Sequence, residues 1–147
     1  MSKKLPEEIL GLEYDWLGCD PAGRVAFFST AGAGFAPGAL LEDTDAFAVA
    51  IEAVLAAPEN TIALSAPELA AGCVNTWKLM ADHGFFAYDS DPNGGPYRLV
   101  AEPKVPAHLD DLPQAIVEVV KRVRFESLQF GISRTLTSEM LKADLTP

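Results

Sequence analysis

Two spacings of apolar residues divide this chain. At Tyr14-Asp15-Trp16-Leu17 and again at Arg24-Val25-Ala26-Phe27-Phe28, aromatic and β-branched residues crowd together as they do on a pleated, half-buried surface. Between them, Asp20-Pro21-Ala22-Gly23 has the order of a turn, with Asp first, Pro pre-set at the second place and Gly able to take positive φ at the last. The pattern predicts two antiparallel strands joined there, with Trp16 and either Phe27 or Phe28 facing inward. A second pair is predicted from Phe85-Phe86-Ala87-Tyr88 and Tyr97-Arg98-Leu99-Val100, which flank the turn residues Asp91-Pro92-Asn93-Gly94-Gly95. Phe125 to Ile132 alternate, with Leu128, Phe130 and Ile132 on one face, and predict a last strand before a short helical tail.

The 3-4 spacing marks the helices. Phe47, Ala50, Ile51, Val54 and Leu55 form one buried stripe that Asp43 or Thr44 can cap and Pro58 ends. Asn60 to Leu64 reads as an extended connector or a short strand. Ser65-Ala66-Pro67-Glu68 has the form of a capping box, opening a second helix with the stripe Leu69, Cys73, Trp77 and Met80 and a stop at Gly84. Asp111-Leu112-Pro113-Gln114 opens a third, with Leu112, Ile116, Val119, Val120 and Val123 inward and Lys121, Arg122 and Arg124 in its last turn, where cations suit the helix dipole. Residues 1–12 carry only a thin apolar pattern, expected as a mobile start or a single helical turn. Residues 31–38 are a loop rich in Gly and Pro. The order of elements predicts a single α+β domain over residues 1–147: an antiparallel sheet built from two hairpins plus a C-terminal strand, with helices packed on one face.

Composition narrows the partners. The 147 residues, 49% hydrophobic and 22% charged, suit one globular core. A net charge of −10 argues against nucleic acid, whose phosphates need clustered Lys and Arg. No apolar run approaches the roughly 20 residues that span a bilayer, and Met1-Ser2-Lys3-Lys4 is followed by Pro-Glu-Glu rather than by an apolar signal core, so a cytoplasmic protein without a membrane partner is expected. Cys19 and Cys73 are far apart and belong to no CxxC or Cys/His cluster, which predicts two buried free thiols.

Candidate chemistry is thin. Asp89-Ser90-Asp91-Pro92-Asn93-Gly94 copies the first half of a calcium loop, but the twelfth position is Val100 where a bidentate Glu is needed, and the flanks are strands. No metal site is expected there. Gly32, Gly34 and Gly38 follow a strand, yet their GxGxxxG spacing and Pro37 spoil a phosphate fingerprint, and no cofactor is indicated. Such a loop does suit the wall of a small-ligand pocket, with Gly32, Gly34 and Phe35 as its candidates. Cys19 or Ser29 would need His83 or His108 as a base to act as a nucleophile, and no G-x-S-x-G elbow is present, so no catalytic residue is assigned. Glu42, Asp43 and Asp45, and Asp110 with Asp111, stand at predicted helix starts, where the dipole favours them. Capping leaves the wider acidic excess unexplained, since it also includes Glu7, Glu8, Glu13, Asp15, Asp89 and Asp91. Those five helix-start residues are the candidate docking points for a basic protein.

The pieces D-W-L-x-x-D-x-x-G-x-V-A-x-F-S-T-A-G over 15–32 and G-F-F-A-Y-D over 84–89, then G-P-Y-R, P-x-x-P and D-D-L-P, resemble a set of small bacterial α+β proteins with no agreed activity. Some of these are similar to the immunity partners of bacterial toxins. The resemblance implies a fold and transfers no catalytic residue. Three readings follow: a non-enzymatic acidic protein-binding module, in its most specific form an immunity-like toxin neutraliser; a small-molecule binder or small hydrolase with its pocket at loop 31–38; and a self-associating structural subunit.

Overall fold

In the computed structural model, which describes residues 3–145, the chain is α+β with six α-helices and a mixed, curled sheet. Strand β1 (Asp15–Cys19) pairs antiparallel with β2 (Val25–Ser29), and β2 continues the sheet by running parallel to β4 (Phe86–Asp89). β4 pairs antiparallel with β5 (Tyr97–Pro103), whose far side carries β3 (Ala63–Ser65) at one end and β6 (Thr135–Leu136) at the other. The sheet is therefore mixed, where an antiparallel one was expected. Three helices and the short β3 separate β2 from β4 in sequence, and a parallel pair requires a long connection of that kind.

The turn from β1 to β2 is built by Asp20. Its Oδ1 accepts from the backbone N–H of Ala22 (3.0 Å) and Arg24 (2.9 Å), and Gly23 donates to its carbonyl at 3.0 Å. Gly23 has φ +83°, and a Cβ there would run into the His108 ring, so both backbone and space require glycine.

One face of the sheet is aromatic. Cross-strand register puts Trp16 opposite Phe28 and Phe28 opposite Tyr88, and the three rings stack with centroids 3.8 Å and 5.2 Å apart. Curling brings Tyr97 of β5 edge-on to Trp16, whose indole N–H donates to the Tyr97 hydroxyl at 3.1 Å. Each well-oriented ring pair adds about 0.5–1.5 kcal/mol beyond its burial. Phe125 and Phe130 close this face. They lie on an irregular crossing and not on the strand predicted over Phe125 to Ile132. The reason is competition for backbone donors: Asp144 accepts from the N–H groups of Ser127 and Leu128, and Asp20 Oδ2 from that of Phe130 at 3.0 Å. Ile132, placed inward by alternation, is 70% exposed.

Helices α1 (Pro6–Ile9), α2 (Gly38–Glu42), α3 (Thr44–Ala56), α4 (Thr76–Asp82), α5 (Gln114–Val120) and α6 (Ser138–Asp144) complete the fold. α3 and α5 pack on β1, and α4 on β4 and β5. Asp43 caps α3 by accepting from Ala46 N–H, and Phe47, Ala50, Ile51 and Val54 are buried as the stripe predicts. The second helix is shorter than predicted. Gly72 takes φ +87° and Cys73 closes a turn onto Ala70, so no helix forms until Asn75 caps Lys78 N–H. Cys73 is consequently exposed, while Cys19 is buried. α5 ends at Val120, which leaves Arg122 and Arg124 beyond it. Among the described residues no helix is long and apolar enough to cross a membrane.

Candidate functional site

The end of the β1–β2–β4 layer collects carboxylates. Asp15 lies directly opposite Ser29, and Ser29 directly opposite Asp89, so all three side chains leave the same face of the sheet. Glu13, two residues before Asp15, joins them: the Ser29 hydroxyl donates to Glu13 Oε1 at 2.6 Å. Glu13, Asp15 and Ser29 line a cleft of about 300 Å³ whose other wall is Trp77 of α4 with Leu69, Val74 and Thr76.

Ser29 has one hydroxyl proton, and a proton given to Glu13 serves neither aspartate. Among the described residues, the buried side-chain oxygens without a hydrogen-bond partner are Asp15 Oδ1 and Asp89 Oδ1. Burial, and next the charge of Glu13, pushes the Asp15 carboxyl up to about 6 despite its contact with Ser29. Burial does the same to Asp89, also to about 6, with Glu13 and Asp91 adding repulsion. Glu13 and Asp15 on the cleft wall, with Asp89 behind Ser29, repel one another, and an added positive charge in the cleft relieves that repulsion. An aromatic wall favours the same occupant through the negative face of its ring.

Glu13 and Asp15 also form one side of a second depression, about 350 Å³, whose far side is Asp45, Ala48, Ile51 and Glu52 of α3. Asp45 in turn borders an apolar groove of about 340 Å³ between α3 and α5. The three depressions form a row joined by shared carboxylates. Among the described residues no Lys, Arg or His lines any of them. No family model, curated protein or solved structure matches the chain. The side chains themselves carry the functional reading.

The residues singled out from the sequence are dispersed. Asp43 caps α3 and approaches Arg122 at 3.8 Å, and Glu42 approaches Lys3 at 3.7 Å. Asp110 and Asp111 sit on the 3-10 turn before α5, where Asp111 accepts from His108 N–H at 3.3 Å. Because Arg122 follows α5 and Asp110 precedes it, the seven-residue helix, about 10 Å long, separates the two acidic groups. Of the five, Asp43 borders the α3–α5 groove, and Asp45 borders both that groove and the depression beside it. Gly32 and Gly34 line a cavity of about 230 Å³ against α1, whereas Phe35 packs edge-on to Trp16 and lends its carbonyl to the Tyr97 hydroxyl.

The nucleophile pairings do not assemble. Both ring nitrogens of His83 face backbone carbonyls, those of Leu79 (2.7 Å) and Ala57 (2.8 Å), and His108 Nδ1 accepts from Asp110 N–H at 3.0 Å. The calcium-like loop divides its ligands: Asp91 accepts from Asn93 and Gly95 N–H within the turn, while Asp89 belongs to the carboxyl cluster. Among the described residues no group of three or more His, Cys, Asp or Glu has metal-holding geometry. Nothing in the pattern of residues brought Glu13, Asp15 and Asp89 to a common location. Glu13 precedes β1 by two residues and meets Asp15 through the shared neighbour Ser29, but the parallel β2–β4 pairing that adds Asp89 has no local signature.

Proposed function

We propose that this protein is a non-enzymatic binding module for a basic protein, and that it holds a Lys or Arg side chain of that partner between Trp77 and the carboxyls of Glu13 and Asp15, with Asp89 adding negative charge behind them. The observation that carries this reading is the buried, unpartnered oxygen on Asp15, which lines an open cleft, with a second such oxygen on Asp89 across Ser29. Leaving such atoms without donors is costly, and a guanidinium or ammonium supplies the missing donors and the opposite charge together. An immunity-like role, neutralising a basic toxin by covering its functional surface, is the most specific form of the proposal; it draws on the sequence resemblance and on the net charge of −10.

An unstructured basic peptide, four repeats of Arg-Gly-Ser, tests it by titration calorimetry against the matching Glu-Gly-Ser peptide. The Arg peptide is expected to bind and the Glu peptide not. The pair Glu13→Gln and Asp15→Asn should weaken binding about tenfold, the scale of one or two buried charge-assisted bonds. A control that changes the net charge equally, Glu7→Gln with Glu139→Gln on exposed helix positions, should change it less than about twofold, because exposed charges are screened. Equal losses in both variants would reduce the effect to nonspecific charge and end this reading.

A further inference from the structure

α3 is apolar almost all round. Of its thirteen residues only Thr44, Asp45 and Glu52 are polar. Its inner stripe fills the core, but Val49 is 65% exposed, and Ala53 is exposed beside it. A helix of this composition is ordinarily covered on both sides. Ala46, Val49, Ala50 and Ala53 follow the spacing i, i+3, i+4, i+7, so they form a second stripe, and Ile116 and Val119 of α5 form the other bank of the groove.

We infer that the groove between α3 and α5 receives an amphipathic helix of the basic partner, its apolar face on Val49 and Ala53 and its cationic residues toward Asp45 and the cleft beyond; this rests on the reading of the protein as a module for a basic partner. Shape and charge both select that occupant. Two helical banks, with alanines on the α3 side, let a third helix approach closely, which is the helix-in-groove mode of recognition. The carboxylates lie at one end of the groove: Asp43 and Asp45 border it, and Asp45 leads on to Glu52, Glu13 and Asp15. Arg122 approaches Asp43 at 3.8 Å. A second copy of this chain is a poor occupant, since each copy brings a charge of −10.

Two 18-residue peptides of leucine and lysine test the inference. One places leucines at i, i+3, i+4 and i+7, and the other has the same composition scrambled so that no apolar stripe forms. The patterned peptide should bind about tenfold tighter and gain helical circular dichroism on binding. Val49→Gln should remove most of that advantage, and Ala53→Gln, which fills the groove, should do so independently. Both positions are exposed, so both variants should melt within a few degrees of the parent. Neither should alter binding of the Arg-Gly-Ser peptide by more than about twofold, because that contact lies in the cleft. Equal affinity for the two leucine-lysine peptides, or indifference to both substitutions, overturns the groove. Binding of the patterned peptide without any binding of the Arg-Gly-Ser peptide overturns the cleft and leaves the groove standing.

Discussion

At the scale of single residues, Asp15 trades stability for a charge held ready. Its folded-state value of about 6 stands above the ordinary 3.8, and Asp89 behaves alike. Between roughly pH 4 and 6 the folded chain therefore binds more protons than the unfolded one, and stability contributed by these groups is present at the acid end and falls as pH rises through 6. Asp144 works in the opposite sense. Burial raises its carboxyl, but hydrogen bonds from the Ser127 hydroxyl and from the N–H groups of Leu128, Ser127 and Glu126 outweigh it and hold it low, so its contribution is lost as pH falls. Asp15→Asn removes one charge from the cluster while preserving shape. At pH 7.5 this variant should be more stable than the parent by about 1 kcal/mol, or roughly 2–4 °C in Tm. At pH 4.5, where the parent carboxyl is already protonated, the gain should vanish. Paired thermal melts at the two pH values check this, and a variant less stable at pH 7.5 would show that the carboxylate is satisfied in a way the cluster geometry denies.

At the scale of elements, Asp20 joins two parts of the fold that are 110 residues apart. One carboxylate oxygen shapes the β1–β2 turn and the other holds Phe130 N–H beneath the aromatic row. Asp20→Ala leaves those backbone donors unsatisfied, one of them buried, and should cost about 3 kcal/mol. Trp16 lies 3.8 Å from Phe28, which contacts Phe130, so its fluorescence should report the loosened crossing before global unfolding. Coincident fluorescence and far-UV transitions, with no loss of midpoint, would remove Asp20 from that role. This residue also marks the limit of what the sequence discloses. The turn at 20–23, α3 with its Asp43 cap, and the inward Trp16 were legible because each depends on neighbours within a few positions. The crossing over 125–132 looked like a strand because its alternation is real, but distant carboxylates claim its N–H groups. The helix expected from Ser65 fails for a related reason: Ser65 ends β3, paired with Glu102 of β5, and the chain forms no helix between it and α4. The cleft was least legible, since it depends on parallel pairing between β2 and β4 with 56 residues between Ser29 and Phe86.

At the scale of the whole molecule, charge and apolar surface divide the work of association, and kinetics separates them. A body carrying −10 draws a cationic peptide toward it over distances set by the screening length, about 10 Å at 0.1 M salt and about 3 Å at 1 M. That attraction acts before contact and so governs the on-rate. The groove on α3 and α5 acts only after contact, when leucine side chains leave water, and so governs the off-rate. For the patterned leucine-lysine peptide, raising salt from 20 mM to 500 mM should slow association about tenfold or more while changing dissociation less than about threefold. Val49→Gln should do the reverse, quickening dissociation at every salt concentration without altering the salt dependence of association. The Glu13→Gln, Asp15→Asn pair occupies an intermediate place: its cleft contact forms late and affects dissociation, while the loss of two negative charges flattens the salt dependence of association only slightly. Surface plasmon resonance with the peptide immobilised at low density measures both rates in one experiment. An on-rate indifferent to salt would restrict the acidic excess to solubility, and an off-rate indifferent to Val49 would return that residue to an incidental exposed apolar position.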